Sequence, residues 1–184
     1  MANKVLFGFS DLYVGTYSVS TTGVITLGTP YHQAGAVGFS PSASDSSSVF
    51  YADNIPYYTG YSSEAFSGDL EVAMFDDTFK TQFLGYQTLS DGGLAEVKGA
   101  SKPAVYIAFQ LEGDAEKRRV IYYNCELGSI SREYATIEEN VEVQTESLPV
   151  TVIGVNSNGV TRATYKPADT GYSTLFTSPT APSF

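Results

Sequence analysis

The sequence predicts a mainly β fold, an antiparallel β-sandwich or barrel in a single domain with one short α-helix. The chain of 184 residues contains 17 Gly and 14 Tyr together with many Thr, Ser and Val, which is typical of β proteins. Several segments alternate apolar and polar side chains with the period of two that marks a half-buried strand. Only one stretch has the spacing of a helix.

The first quarter of the chain predicts short extended segments. We expect them at Lys4–Phe9, Leu12–Val19, Gly23–Gly28 and Ala34–Ser40. Residues 41–48 (PSASDSSS) follow, and we expect a mobile loop there because nothing in this stretch can be buried to offset the entropy of ordering it.

A strand that runs into the helix has the clearest pattern. One face of Phe66–Phe75 consists of Phe66, Leu70, Val72 and Met74, and the other consists of Ser67, Asp69 and Glu71. Asp76 is predicted to be the N-cap, since its carboxylate can accept from the first free N–H groups. Gly85 suits the position after the helix, which is therefore expected over about residues 76–85.

A hairpin is predicted where Val105–Leu111 and Arg119–Leu127 flank the charged tip at residues 112–118. Four residues of the second strand, Ile121, Tyr123, Cys125 and Leu127, are expected to be in phase on one face. Cys125 is thus interpreted as a small buried hydrophobic residue.

The C-terminal third predicts more β structure and then a change. Val141–Val155 is expected to be a long β region, with Val160–Tyr165 pairing back on it after a tight turn. Periodicity is lost from Lys166 onward. We therefore predict a β domain over residues 1–165 and a C-terminal arm or disordered tail over residues 166–184.

The composition argues against several function classes. The 20 acidic and 10 basic residues give a net charge of −10, which is unsuited to gripping nucleic acid phosphates. The single cysteine excludes an internal disulfide, and the single histidine, His32, cannot complete a zinc site or a Ser-His-Asp set. The sequence has neither a signal peptide pattern nor an apolar membrane span, so we expect a soluble protein. Because it also lacks a set of catalytic or metal-binding residues, we expect that it is not an enzyme and has no cofactor or metal.

Paired carboxylates leave alternatives open. Asp69 and Glu71 on one strand face have a spacing that a glycosidase can use, but a solvated strand face is the favoured interpretation. Asp76 and Asp77 are conceivable calcium ligands, although no calcium-loop motif surrounds them.

A tyrosine-rich loop is expected at Asp53–Glu64. Exposed aromatic side chains bury much area and have few rotatable bonds to immobilise, so they favour a subunit interface. The candidate interface residues are Asp53, Asn54, Tyr57, Tyr58 and Tyr61. Packing within the domain and carbohydrate stacking are the alternatives, and a carbohydrate-binding β-sandwich that uses residues 51–61 is the competing function.

The same residues resemble a known family. FYADNIPYYTGYSSEAFSGDLEVAMFDDTFKTQFLG, KPAVYIAFQLEGD, RRVIYYNCELG and ENVEVQTESLPVTV are similar to segments of phage major tail proteins of the phi13 type, from long-tailed phages of Gram-positive hosts. The resemblance covers most of Val5–Tyr165. It leaves out the Ser-rich loop and about the last twenty residues.

This resemblance implies a structural virion protein of a siphovirus. Such proteins form a β-sandwich with one helix and assemble into hexameric rings, which stack into the tail tube that conducts DNA into the host. The implied partners are copies of the chain itself, the tape measure protein, and the tail-tip and tail-terminator proteins. DNA passes through without specific binding, and the tail is assembled in the host cytoplasm without a membrane.

A DNA conduit should be neutral or acidic, because Lys and Arg on its wall would retain DNA. Two polar strand faces are therefore candidates for the lumen. One carries Glu142, Gln144 and Glu146, and the other carries Asp69 and Glu71. Ordinary outer surface is the alternative for both faces.

Overall fold

The computed structural model describes residues 8–114, 116–134, 144–155 and 159–183, without the side chains of residues 44–47, 52 and 59–64. In these ranges it contains thirteen β-strands and one α-helix. The strands are β1 (Phe9–Val19), β2 (Ile25–Leu27), β3 (Tyr31–Gln33), β4 (Ala36–Phe39), β5 (Ser42–Ala52), β6 (Ile55–Val72), β7 (Gln87–Thr88), β8 (Leu94–Ala95), β9 (Val105–Leu111), β10 (Arg119–Leu127), β11 (Ser131–Arg132), β12 (Glu146–Val152) and β13 (Arg162–Tyr165), and the helix α1 is Asp77–Phe83.

The strands form one large antiparallel sheet and a small separate hairpin. The main path of the large sheet runs β2-β1-β9-β10-β12-β6-β4, with β3, β5, β11 and β13 paired at its sides, while β7 pairs with β8. The sheet folds over itself as a sandwich-like arrangement and does not close into a barrel. The predicted mainly β fold with one short helix is confirmed.

The main core lies between the sheet and α1. Leu70 and Val72 of β6 are fully buried there, and the helix contributes Phe79 and Phe83. Gly85 has φ of 71° just after the helix, as predicted for a stop residue. Asp76 occupies the predicted N-cap position, but the predicted capping hydrogen bond from the helix N–H groups to its side chain is absent. Its carboxylate instead accepts a hydrogen bond from the Tyr31 hydroxyl at 2.8 Å.

The strand before the helix ends earlier than its alternation predicts. β6 stops at Val72, and Met74 is 66% exposed rather than on the core face. Phe75 is buried instead, because the chain turns toward α1 after the strand and Phe75 stacks on Phe79 with ring centroids 4.8 Å apart.

The β9–β10 hairpin forms as predicted, but its second strand changes phase. Asn124 has φ of 51° and the register shifts between Tyr122 and Cys125, which marks a β-bulge. As a result Cys125 faces the main core, whereas Ile121 and Tyr123 belong to a second apolar cluster on the other side of the sheet. The predicted shared face of these residues is wrong, although the predicted burial of Cys125 is confirmed.

The C-terminal third differs from its prediction in two ways. β13 pairs with β10 and not with β12, which itself spans only Glu146–Val152. Residues 166–183 fold back in a series of turns, and Leu175 is buried in the second cluster. The described part of the predicted arm or tail therefore contacts the core of the domain.

Candidate assembly surface

The Ser-rich and Tyr-rich stretches form one long hairpin, which we call the arm (residues 42–65). β5 pairs with β6 from Ser42 to Ala52, and Asp53 and Asn54 make the turn with φ of 52° and 64°. The predictions of a mobile loop at residues 41–48 and a loop at Asp53–Glu64 are therefore wrong. Cross-strand backbone hydrogen bonds stabilise this two-stranded ribbon, although its side chains do not show the alternation that predicts strands.

The arm extends beyond the body of the sheet. β12 pairs with β6 over Phe66–Val72 only, so residues 55–65 of β6 pair with β5 alone in the described part of the chain. Eleven strand residues span roughly 35 Å. At the base of the arm, β6 passes close to the Ser40 carbonyl oxygen, where β4 leads into β5. Glycine is needed at position 68, because a Cβ there would lie 2.2 Å from that oxygen.

The outer part of the arm is strongly apolar and exposed, and we call it the apolar head. Its exposed fractions are 41% for Val49, 62% for Phe50, 62% for Tyr51, 59% for Ile55, 75% for Tyr57 and 65% for Tyr58. The candidate interface residues Asp53 and Asn54 are exposed at its tip. The side chain of Tyr61 lies outside the described part of the structure.

Apolar side chains occupy both faces of the head. Phe50 lies directly opposite Tyr58, so these two rings share a face. Val49 precedes Phe50 on β5 in regular register and therefore points to the other face, whereas the register shifts between Phe50 and Tyr51. Sequence reasoning missed Val49, Phe50 and Ile55, although an Asp-Asn pair between aromatic and β-branched runs is a recognisable hairpin signal.

A polar face of the sheet carries three carboxylates, and we call it the acidic face. It consists of Ser67, Asp69, Glu71, Glu126, Ser147, Pro149 and Thr151, which the register of β6, β12 and β10 brings side by side. Asp69 is exposed, and the half-buried Glu71 accepts a hydrogen bond from the Thr145 hydroxyl. None of these seven positions is basic.

Glu146 is buried, whereas Gln144 is exposed. Glu146 is 8% exposed, accepts from the Phe75 N–H at 2.8 Å and pairs with Arg132 at 2.6 Å. The expectation that it lines a lumen from an outward face is wrong, because β12 places it in phase with the buried Leu148 and Val150. Glu142 lies outside the described residues.

Nowhere in the described ranges do three His, Cys, Asp or Glu side chains converge as metal ligands. His32 is exposed and packs on Tyr13, with ring centroids 4.9 Å apart. Burial raises the pKa of the Cys125 thiol, which keeps it in the unreactive protonated form. In those ranges no helix has the length and apolar character needed to cross a bilayer.

Comparison with known proteins identifies relatives by fold alone. No family model matches the chain, and no curated protein does. Among solved structures, the chain is similar to the cap of the anti-feeding prophage, described as a tube-terminating cap, with a TM-score of 0.50, 8% identity, and coverage of 90% of this chain and 95% of that one.

A second similar structure is a chain of the sheath–tube complex of an extracellular contractile injection system in its extended state. Its TM-score is 0.41 and its identity 10%, with coverage of 85% of this chain and 88% of that one. The chain thus shares its fold with the tube-terminating cap of a tail-like particle.

Proposed function

We propose that this chain is a structural, non-enzymatic protein of a phage tail tube, and that its apolar head is buried against a second copy of the chain. The observation that carries the proposal is the arm itself. It holds six large apolar side chains in solvent, at a distance from the core of its own domain. Clustered exposed apolar surface of this kind marks an interaction site in soluble proteins.

The two-sided character of the head favours assembly over sugar binding. A carbohydrate platform needs its contact surface on one accessible face, whereas the neighbouring apolar residues Val49 and Phe50 of β5 point to opposite faces. Burying both faces requires protein on both sides, as when a ribbon inserts between neighbouring subunits. The backbone edges of the arm also lack a third strand in the described structure, so a neighbour can add strand pairing to the apolar contact.

In the finer form of the proposal, copies form hexameric rings that stack into the tail tube of a siphovirus and conduct DNA into the host cell. Tape measure, tail-tip and tail-terminator proteins are the proposed partners. The acidic face is the best described candidate for the lumen, because Asp69, Glu71 and Glu126 lie there and none of its seven described positions is basic. Repulsion of DNA by such a wall acts over about 8 Å at physiological salt.

Fold similarity to a tube-terminating cap favours a second candidate, a ring that closes a tube rather than continuing it. The two roles differ in self-association. A tube subunit adds ring upon ring, whereas a cap stops at one ring.

Size-exclusion chromatography with light scattering separates these possibilities across a wide range of protein concentration. A tube subunit gives polymers above a critical concentration, and a cap gives one defined oligomer at all concentrations. A monomer at every concentration contradicts self-assembly, and a monomer whose intrinsic fluorescence changes with added oligosaccharide supports the sugar-binding alternative.

A further inference from the structure

The last described segment, residues 166–183, forms a strap over the second apolar cluster. Its four described backbone–backbone hydrogen bonds all join residues of the strap itself. The Asp169 N–H donates to the Lys166 carbonyl and the Tyr172 N–H to the Asp169 carbonyl, and the N–H groups of Thr177 and Ser178 both donate to the Thr174 carbonyl. Over residues 166–178, the described contacts between the strap and the rest of the domain involve side chains, and they include an ion pair of Lys166 with Glu116 at 3.5 Å. A segment attached in this way can separate as a unit, without breaking a strand pair.

The surface beneath the strap differs from the main core in composition. Five tyrosines belong to the second cluster, namely Tyr13, Tyr17, Tyr106, Tyr123 and Tyr165. Tyrosine combines an apolar ring with a polar tip and is enriched at interfaces, where one end of the side chain is in an apolar environment and the other is wet. Among the described residues, the buried Tyr17 hydroxyl has no hydrogen-bond partner, and a buried hydroxyl without a partner makes the covered state costlier than a fully apolar core.

One arginine makes three specific contacts to the strap. The Arg119 guanidinium lies between the rings of Tyr172 and Phe176, 4.2 and 4.0 Å from their centroids. It also donates to the Tyr172 carbonyl at 2.7 Å and to Gln110 Oε1 at 3.2 Å, which fixes its plane.

Further contacts complete the closure of the strap. Phe176 stacks on Tyr13 at 4.5 Å, and the Tyr172 hydroxyl donates to the Lys117 carbonyl at 2.8 Å. Because Arg119 begins β10, its contacts join the strap directly to the central strands.

We propose that the strap is a lid that opens as a unit from the tyrosine-lined face, with Arg119 as the positioning residue that holds it closed. Arg119→Lys keeps the charge but loses the planar group that stacks between two rings. The population of the open state rises in this variant, while the sheet beneath stays folded. Leu175 and Phe176 leave the cluster together in the open state, since they lie on the same turn.

Amide hydrogen exchange by NMR tests this lid. In the wild-type protein the amides of Asp169, Tyr172, Thr177 and Ser178 should exchange at least about tenfold faster than those of the β9–β10 ladder. Arg119→Lys should speed the four strap amides by a further factor of about ten and change the ladder by less than about twofold. Arg162→Lys is the matched control, since Arg162 lies 5.9 Å over the Tyr122 ring and contacts no strap residue in any described interaction.

Two results would overturn the lid. Equal protection of the strap and the ladder in the wild-type protein would make the strap part of the cooperative core. An equal acceleration of both regions in Arg119→Lys would mean that this arginine supports global stability and holds no separate unit closed.

Discussion

Replacing Phe50 and Tyr58 together with Ala should suppress assembly while leaving the monomer folded. The two rings share one face of the arm and are 62% and 65% exposed in the isolated chain. Their loss removes few contacts from the domain itself. We expect the free energy of unfolding to fall by at most about 1 kcal/mol, the upper range for one cross-strand pair.

The effect on assembly should be larger. If each ring offers about 200 Å² and roughly 0.6 of it becomes buried in the tube, about 250 Å² is removed by the double substitution. At about 25 cal/mol per Å² this corresponds to a ceiling near 6 kcal/mol. Ordering and desolvation costs reduce the net value, and hot-spot residues of this type typically retain at least about 2 kcal/mol. The critical concentration for polymerisation should therefore rise by at least about 30-fold.

Pelleting of polymer from a concentration series measures this shift, and circular dichroism follows the folding of the monomer. Val19→Ala with Val24→Ala is the matched control, because these residues are also exposed apolar side chains, at 40% and 61%, but lie on the β1–β2 hairpin. Polymerisation of the arm variant at the wild-type concentration would refute the assembly role of the head. Equal loss in the control would show that any exposed apolar residue has this effect.

Four further predictions follow from the structure. Gly68→Ala should destabilise the fold by about 2 kcal/mol or more in urea unfolding, because a Cβ would meet the Ser40 carbonyl; an unchanged midpoint would contradict the tight crossing. Glu146→Ala should lower the free energy of unfolding in urea by about 2–3 kcal/mol, because the Phe75 N–H loses its hydrogen-bond partner. Glu146→Gln should lower it less, since the amide oxygen can still accept from that N–H. Equal losses in the two variants would assign the effect to the ion pair with Arg132 alone. The hydrogen bond from Arg118 lowers the pKa of Asp114 to about 2, so its stabilisation is present above about pH 4 and is lost as the pH falls toward 2. The gap in melting temperature between the wild-type protein and Asp114→Asn should thus shrink from pH 7 to pH 2, and a constant gap would contradict this link. Asp69→Lys should leave tubes intact but slow DNA release if the acidic face lines the lumen, and unchanged release would place that face outside.

Local sequence patterns predict those parts of the fold that are determined by residues close together in the chain. The helix follows from the spacing of its apolar residues and from Gly85 as its stop, and the β9–β10 hairpin follows from two strands that flank a charged tip. The structure has both elements. The arm could not be recognised from the Ser-rich half, because its stability comes from pairing with a strand whose alternation is itself weak. Its two-sided apolar head also gives no alternation of apolar and polar residues.

Register explains the remaining errors. The bulge at Asn124 reverses the phase of Ile121 and Tyr123 relative to Cys125, and a positive φ at one residue is not visible in a hydrophobic pattern. Glu146 appears polar in the sequence, yet Arg132 and the Phe75 N–H satisfy it inside the protein, and these partners are 14 and 71 residues away. The packing of the strap's aromatic residues likewise could not be predicted from their own segment, because they stack on Arg119, which is far from them in the chain.

A three-dimensional electron-microscopy reconstruction of particles assembled from the purified chain tests the central claim most directly. The account predicts stacked rings with a hollow bore, in which Phe50 and Tyr58 of each arm are covered by a neighbouring copy. Assembled particles in which the arms project freely into solvent would contradict it, as would a preparation that holds only monomers at every concentration.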